Sequence, residues 1–309
     1  MVAYEELLIK DVSSLGSGTF GHVDLAWSDA KHEYFAQKKF NINDVVQENR
    51  VEYVKREKDV LQLCSSPFIV KLICTGMDKF SLFLVMEFAH GGELRDYLYD
   101  MSEKELLEAV RFYVTEVVCA LKHIHSKSVV YRDLKPENLL LSKEGHVKLT
   151  DFGLAKVLKG KTYTICGTAE YIAPEVFLRK GYGVDVDWWS LGVLIFELLN
   201  GSPPFTGDSE EAVIEAVKQH SISYPSSFDK STRELIESLI SNDPARRGEN
   251  ISNRSWFATV DWGKAGNFGV QPPIVPASLD VSSLSPPSID RGTESPQRAR
   301  DLFEDWNTV

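Results

Sequence analysis

Polar and apolar residues change their period partway along the chain. In the first third they alternate as in strands: Leu7-Leu8-Ile9, residues 23–27 and Tyr34-Phe35-Ala36. Apolar runs at 69–73 and 82–86 predict two more strands. Within this region, 51–63 has helical spacing, and Val54, Val60 and Leu61 share a face with Glu57. Lys55, Arg56, Lys58 and Asp59 point away from that face. A linker holding Gly91-Gly92 follows, and the helical period then dominates. Residues 103–125 place Leu106, Leu107, Val110, Tyr113, Val114, Val117, Leu121 and Ile124 on one stripe. Residues 187–199 are apolar nearly all round, which predicts a buried helix. A short hairpin, 139–141 and 147–149 around the turn Ser142 to Gly145, interrupts the helices. The pattern therefore predicts an α+β chain, strand-rich first and helix-rich second.

Composition bounds this picture without altering it. With 309 residues, 43% hydrophobic and 26% charged, the chain can form one large domain or two lobes sharing a cleft, and wholesale disorder is excluded. A net charge of −11 argues against nucleic acid as main partner and suits a basic one. Cys64, Cys74, Cys119 and Cys166 form no CxxC pair and have no accompanying His cluster, as expected in a reducing compartment. The N-terminus has no signal-peptide apolar stretch, and Val2 stands where N-myristoylation needs glycine. The apolar run near 188–199 contains Ser190, Gly192 and Glu197 and is too short and polar to span a membrane. The expectation is a cytoplasmic protein, with the nucleus left open and no membrane partner.

Candidate chemistry concentrates in residues 131–153, which hold Asp133-Leu134-Lys135-Pro136-Glu137-Asn138 and Asp151-Phe152-Gly153. The hairpin between them would hold Asn138 and Asp151 at one end of a small sheet. Two oxygen donors side by side suit a hard cation such as Mg²⁺. Asp133, five residues before Asn138, is placed to orient a hydroxyl and accept its proton, which is phosphoryl-transfer equipment. Either triplet alone would be an ordinary surface turn; the joint spacing makes chance a poor account. Upstream, Gly16-Ser17-Gly18-Thr19-Phe20-Gly21-His22-Val23 allows backbone N–H groups close to phosphates. A dinucleotide-binding fold would need a helix after those glycines, and a strand pattern follows instead. Strand alternation sets Ala36 and Lys38 on one face, Gln37 and Lys39 on the other. Glu57, a carboxylate on an apolar face, needs a partner, and Lys38 is the candidate.

These motifs together resemble the eukaryotic-type protein kinases, and YRDLKPEN resembles their AGC group. The resemblance covers about 5–276 and implies a bilobal fold: a small β-rich N-lobe at 1–86, a hinge at 87–93, a helical C-lobe at 94–262 and an AGC-type tail at 263–309. Residues 161–204 and 256–262 are worded most like catalytic subunits of cyclic-AMP-dependent kinases. Catalytic domains of cyclic-GMP-dependent kinases are the alternative, and a pseudokinase scaffold is a further one. By resemblance, ATP is bound by Leu15, Gly16, Ser17, Gly18, Thr19, Phe20, Gly21, Val23, Ala36, Lys38, Met86, Glu87, Ala89, Glu93, Leu140 and Thr150. Lys38, Glu57, Asp133, Lys135 and Asn138 are catalytic, and Asn138 with Asp151 holds Mg²⁺. Thr164 occupies the position of an activating phosphothreonine, with Arg132 and Lys156 as its clamp. Glu93, Glu137 and Glu197 would bind arginines before the phosphoacceptor, and Ile165, Ala169 and Ile172 would form the apolar pocket after it. Asp187 would hold the catalytic-loop backbone, and Glu175 would pair with Arg247. Departures from the family are Gln37 and Lys39, less apolar than usual, and Ala169 where most relatives have proline. His123 and His125, ending the helix, are expected to cap or pack. The resemblance also implies a protein substrate basic before its Ser or Thr, and leaves room for a cyclic-nucleotide-binding regulatory subunit. Past about Gly263 the chain turns Pro- and Ser-rich, as at Ser285-Pro286-Pro287. Phe303 to Trp306 is either the tail's adenine-side contact or a rudimentary hydrophobic motif.

Overall fold

The computed structural model describes residues 3–18, 21–277 and 293–307. Thr19 and Phe20 of the glycine run, and Ser285-Pro286-Pro287, lie outside the described residues. The fold is α+β. Its contacts form two units, one from the described parts of Met1–Ser66, Val70–His90 and Ala277–Val309, the other from Pro67–Ile69 and Gly91–Pro276.

The first unit is built on an antiparallel sheet of β1 (Ile9–Gly18), β2 (Gly21–Ser28), β3 (Glu33–Asn41), β4 (Leu72–Met77) and β5 (Ser81–Glu87), ordered β1-β2-β3-β5-β4. Two helices, α1 (Ile42–Gln47) and α2 (Val51–Leu63), follow β3. The strand expected from Leu7 starts later. Tyr4–Leu7 is a 3₁₀ turn, Leu8 has φ +49°, and β1 begins at Ile9. Burial of Leu7 with Phe35, Cys74 and Val85 sets that entry. The run 69–73 also shifts, since Ile69 belongs to the second unit, where it forms an isolated bridge with Leu149, and β4 starts at Leu72. On α2, Val54, Glu57, Val60 and Leu61 are buried as the periodicity requires, but Lys58 is buried too. Its Nζ donates to the carbonyls of Asp305 (2.9 Å) and Trp306 (3.3 Å), so the C-terminal segment covers a position read as exposed.

The second unit is helical around small sheets: β6 (Gly92–Glu93), α3 (Glu103–Ser126), β7 (Val129–Val130), β8 (Leu139–Leu141), β9 (Val147–Leu149), β10 (Lys156–Val157), α4 (Pro174–Phe177), α5 (Asp185–Asn200), α6 (Glu210–Gln219), α7 (Lys230–Leu239) and α8 (Trp262–Ala265). Buried α5 packs on α3 and α7, as its all-round apolar sequence requires, and ends at Gly201 in the left-handed region (φ +82°). Ser102 caps α3 in a reciprocal box with Glu105. Ser102→Ala is expected to lower the unfolding free energy by about 1 kcal/mol, read as a lower denaturant midpoint with unchanged slope. Among the described residues, no helix is long and apolar enough to cross a membrane.

The C-terminal segment, with α9 (Gln297–Asp301), returns to the first unit. There Phe303 and Trp306 are almost fully buried. Trp306 Nε1 donates to Gly76 O at 2.8 Å, and Thr75 Oγ1 donates to Trp306 O at 2.6 Å.

Candidate active site

In the first unit, β1 and β2 turn at Gly18 and Gly21, with Gly16 opposite Val23. Gly21 sits at φ +153°, and a Cβ there would lie 2.3 Å from Lys39 O, so no larger residue fits without moving β3. A Cβ at Gly16 would meet nothing within 4 Å, leaving the backbone open to an incoming group. The register sets Ala36 opposite Leu25 and Met86, and Lys38 opposite Val23 and Leu84. Lys38 Nζ lies 2.7 Å from Glu57 Oε1, with both side chains more than nine-tenths buried. Its neighbour is committed elsewhere: Lys39 Nζ is 2.5 Å from Asp11 and 2.8 Å from the buried Asp24. Gln37 donates to Asp11 and accepts from Tyr4. The two polar departures in β3 thus form a network of their own, apart from the Lys38 pair. Leu15 is exposed, Val23 is half-buried, and Ala89 is buried. The Glu87 carboxylate accepts from Lys71 N at 2.7 Å.

In the second unit, Asp133 is 7% exposed. Lys135 Nζ donates to both its carboxylate oxygens at 3.0 Å and reaches Thr168 Oγ1 at 3.4 Å. Asn138 Nδ2 donates to the Asp133 carbonyl (2.7 Å) and to Asp133 Oδ2 (2.9 Å). Both amide hydrogens are thereby used, which directs the Asn138 carbonyl oxygen away from Asp133. Burial pushes the Asp133 carboxyl above its ordinary 3.8; Lys135 and Asn138 pull it back, and Asp151 adds to the rise.

The β8–β9 hairpin pairs Leu139 with Leu149, and Thr150 N donates to Asn138 O at 3.0 Å, joining the Asn138 turn to the segment carrying Asp151. Asp151 is exposed and has φ +49°, a left-handed conformation that costs a non-glycine residue energy. A carboxylate and an amide oxygen on this hairpin end are the hard donors that Mg²⁺ takes, with its remaining positions left to water or phosphate.

Arg132, beside Asp133, also lies in the left-handed region, at φ +71°. Asp187 holds it: Oδ1 accepts from Arg132 N (2.8 Å), and Oδ2 from Tyr131 N (2.9 Å) and His125 Nε2 (2.7 Å). Arg132 Nε donates to Leu154 O (2.7 Å) and Nη1 to the Tyr182 hydroxyl (3.1 Å), which donates to Thr164 O (2.5 Å). Lys156 Nζ donates to Thr162 Oγ1 at 3.0 Å, and the Thr164 side chain is exposed. Glu175 and Arg247 make a bidentate pair at 2.6 and 2.9 Å.

Residues 9–257 match the protein kinase domain. The chain belongs to the protein kinase family. It is a serine/threonine kinase of the AGC type, 40% identical over 310 residues to the Caenorhabditis elegans protein named cAMP-dependent protein kinase, catalytic subunit-like, covering 96% of this chain and 78% of that one. It is 44% identical over 272 residues to the mouse cAMP-dependent protein kinase catalytic subunit PRKX (86% and 76% covered) and 40% identical over 302 residues to the human protein of that name (94% and 84%). Protein kinases use ATP and Mg²⁺ and act on a protein substrate.

The structure distributes the kinase's expected peptide-side residues unevenly. Glu93 and Glu137 meet across the β6–β8 pair, but an arginine of the same chain lies between them. Arg95 Nη2 is 3.3 Å from Glu93 and Nη1 is 3.3 Å from Glu137. Glu197 accepts a hydrogen bond from the Tyr171 hydroxyl. Ile172 is buried, Ala169 is half-buried, and Ile165 is exposed. Leu140 and Thr150 are half-buried on the hairpin. Sequence reasoning passed over three members of this arrangement. His125, expected to cap or pack, does pack against Trp188 but also holds Asp187. Tyr182 links Arg132 to Thr164 and had no motif to mark it. Arg95 stands two residues after Glu93, and that spacing alone could have flagged it.

Proposed function

We propose that this kinase transfers the γ-phosphoryl group of ATP to Ser or Thr hydroxyls that follow arginine in a peptide. The observation that carries the reading is the Asp133 carboxylate, buried yet held ionisable by Lys135 and Asn138. In the reaction the acceptor Oγ bonds to the γ-phosphorus as the bond from that phosphorus to the β–γ bridging oxygen breaks. The hydroxyl proton passes to Asp133. Lys135, beside the same carboxylate, steadies the transferring group. In the first unit, the glycine hairpin offers backbone N–H groups to the phosphates, Lys38 binds the α- and β-phosphates, and Glu57 fixes Lys38. Asn138 and Asp151 would hold Mg²⁺, which supplies neutralisation of phosphate charge. Adenine would meet Ala36, Met86 and the backbone of Glu87 and Ala89.

Substrate arginines would pair with Glu93, Glu137 and Glu197, and Ile165, Ala169 and Ile172 would receive the apolar residue after the acceptor. Phosphorylation of Thr164 would be sensed by Arg132 and Lys156; Tyr182 already ties Arg132 to that residue's backbone. A regulatory subunit that binds cyclic nucleotide fits the names of the relatives.

The test is phosphate incorporation from γ-labelled ATP into two peptides, one with arginines two and three residues before a serine, the other with alanines there. The expected result is Mg²⁺-dependent labelling with strong preference for the arginine peptide. Labelling of neither peptide would mark a scaffold without turnover. Equal labelling would remove the arginine specificity and keep the transferase.

A further inference from the structure

The carboxylates suited to a substrate arginine are already engaged by an arginine of this chain. The 3₁₀ turn Leu94–Tyr97 follows β6 directly and carries Arg95 back over Glu93. β6 pairs with β8, opposing Glu93 to Leu140, and the turn Pro136–Asn138 just before β8 brings Glu137 to the same place. The Arg95 guanidinium bridges the two, one terminal nitrogen to each at 3.3 Å. All three side chains keep between a third and a half of their exposure, so this is a surface clasp, open to competition. Glu197 stands nearby without a direct ion pair to Arg95 and is held by Tyr171.

We propose that Arg95 is a specificity-determining residue that occupies the Glu93–Glu137 pair as an intramolecular stand-in for a substrate arginine. The inference rests on the assignment of those carboxylates to substrate arginine above. A guanidinium satisfies two carboxylates with a planar fork of donors, and a second guanidinium cannot take the same oxygens in the same geometry. An incoming arginine must displace Arg95, and the displaced cation stays tethered beside it. The surrounding charge is still negative. Burial disfavours a charge on Arg95, but Glu137 and Glu93, with Tyr99 and Glu197 in reach, outweigh that and hold the guanidinium firmly charged. A basic peptide is therefore still attracted at a distance while its close contact is contested. The device lowers affinity for arginine peptides selectively and leaves Glu197, which accepts from the Tyr171 hydroxyl, as the carboxylate they meet without a competing guanidinium.

The experiment compares Arg95→Ala and Arg95→Gln with the wild-type kinase on the arginine and alanine peptides described above, with ATP saturating. In both variants the KM for the arginine peptide is expected to fall by about fivefold, the scale of one good exposed ion pair. KM for the alanine peptide should not fall in parallel, and the gain should shrink in high salt as screening weakens the pairing. A KM for the arginine peptide that stays constant or rises in both variants, with the wild type still preferring arginine, would overturn the stand-in role. Arg95 would then be a brace that positions Glu93 and Glu137. A wild-type kinase with no arginine preference would overturn the carboxylate assignment and this inference together. Thermal midpoints of the variants separate either result from misfolding.

Discussion

Asp133→Asn is expected to lower kcat by about 10²–10⁴-fold, the usual contribution of a positioned general base, with little change in the KM for ATP. The substitution is nearly isosteric, so the fold tolerates it. What it removes is the acceptor for the hydroxyl proton and the anion to which Lys135 is bound by two 3.0 Å hydrogen bonds. Asn138 Nδ2 now donates to Asp133 Oδ2 and would face either an amide oxygen or an amide N–H. Because the folded-state pKa of Asp133 is raised by burial, the active ionised form is present above that pKa and lost as pH falls through it. The wild-type kcat/KM for peptide should therefore show an acid limb with its midpoint above 3.8. The residual activity of the variant should lack that limb. Steady-state kinetics between pH 4 and 8 give both readouts. A variant that turns over within about tenfold of wild type would remove Asp133 from proton transfer.

The sequence made some of this site legible because periodicity and chemistry agreed there. Glu57 stands out as a carboxylate on an apolar helical face, and a buried charge demands a partner. Lys38 Nζ lies 2.7 Å from it in the same unit. The hairpin between Asn138 and Asp151 was legible for the same reason, two short apolar runs around a polar turn. What could not be read depends on non-local backbone. The positive φ of Arg132 leaves no mark in composition, since arginine does not favour that region, and Asp151 is one of many aspartates in the chain, so its tolerance of that region marks no single position. The pairing of His125 with Asp187 spans 62 residues, and Asp187 uses both oxygens on backbone N–H groups that any sequence would supply. Lys58 was misread because the segment that buries it lies some 247 positions away. The same holds for Gln37 and Lys39. They look anomalous in one strand and become ordinary once Asp11, Asp24 and Tyr4 arrive from neighbouring segments.

Arg247→Ala is expected to destabilise the helical unit by about 3–5 kcal/mol, the cost of stranding a buried partner of an ion pair. At about 2–4 °C per kcal/mol for a unit of this size, the thermal midpoint should fall by roughly 6–20 °C. The Arg247 side chain is fully buried and that of Glu175 is 12% exposed. The guanidinium also donates to Ser241 O at 2.7 Å and lies 5.0 Å from the Trp189 ring centroid. Removing it leaves the Glu175 carboxylate, the Ser241 carbonyl and one face of Trp189 without their partner at once. The sign of the pair itself is a separate question, because taking two charges out of water costs nearly as much as their attraction returns. Arg247→Met combined with Glu175→Leu answers it. If the loss comes from stranded charge, the double variant should be more stable than Arg247→Ala, despite carrying one change more. If the losses of Arg247→Met alone and Glu175→Leu alone simply add in the double, the two residues contribute independently and the stranded-charge account fails. Peptide phosphorylation by the double variant below its melting point adds a functional readout. Glu175 lies just beyond the segment carrying Thr164 to Ile172, so a pair that only stabilises the unit should leave KM for the peptide near its wild-type value.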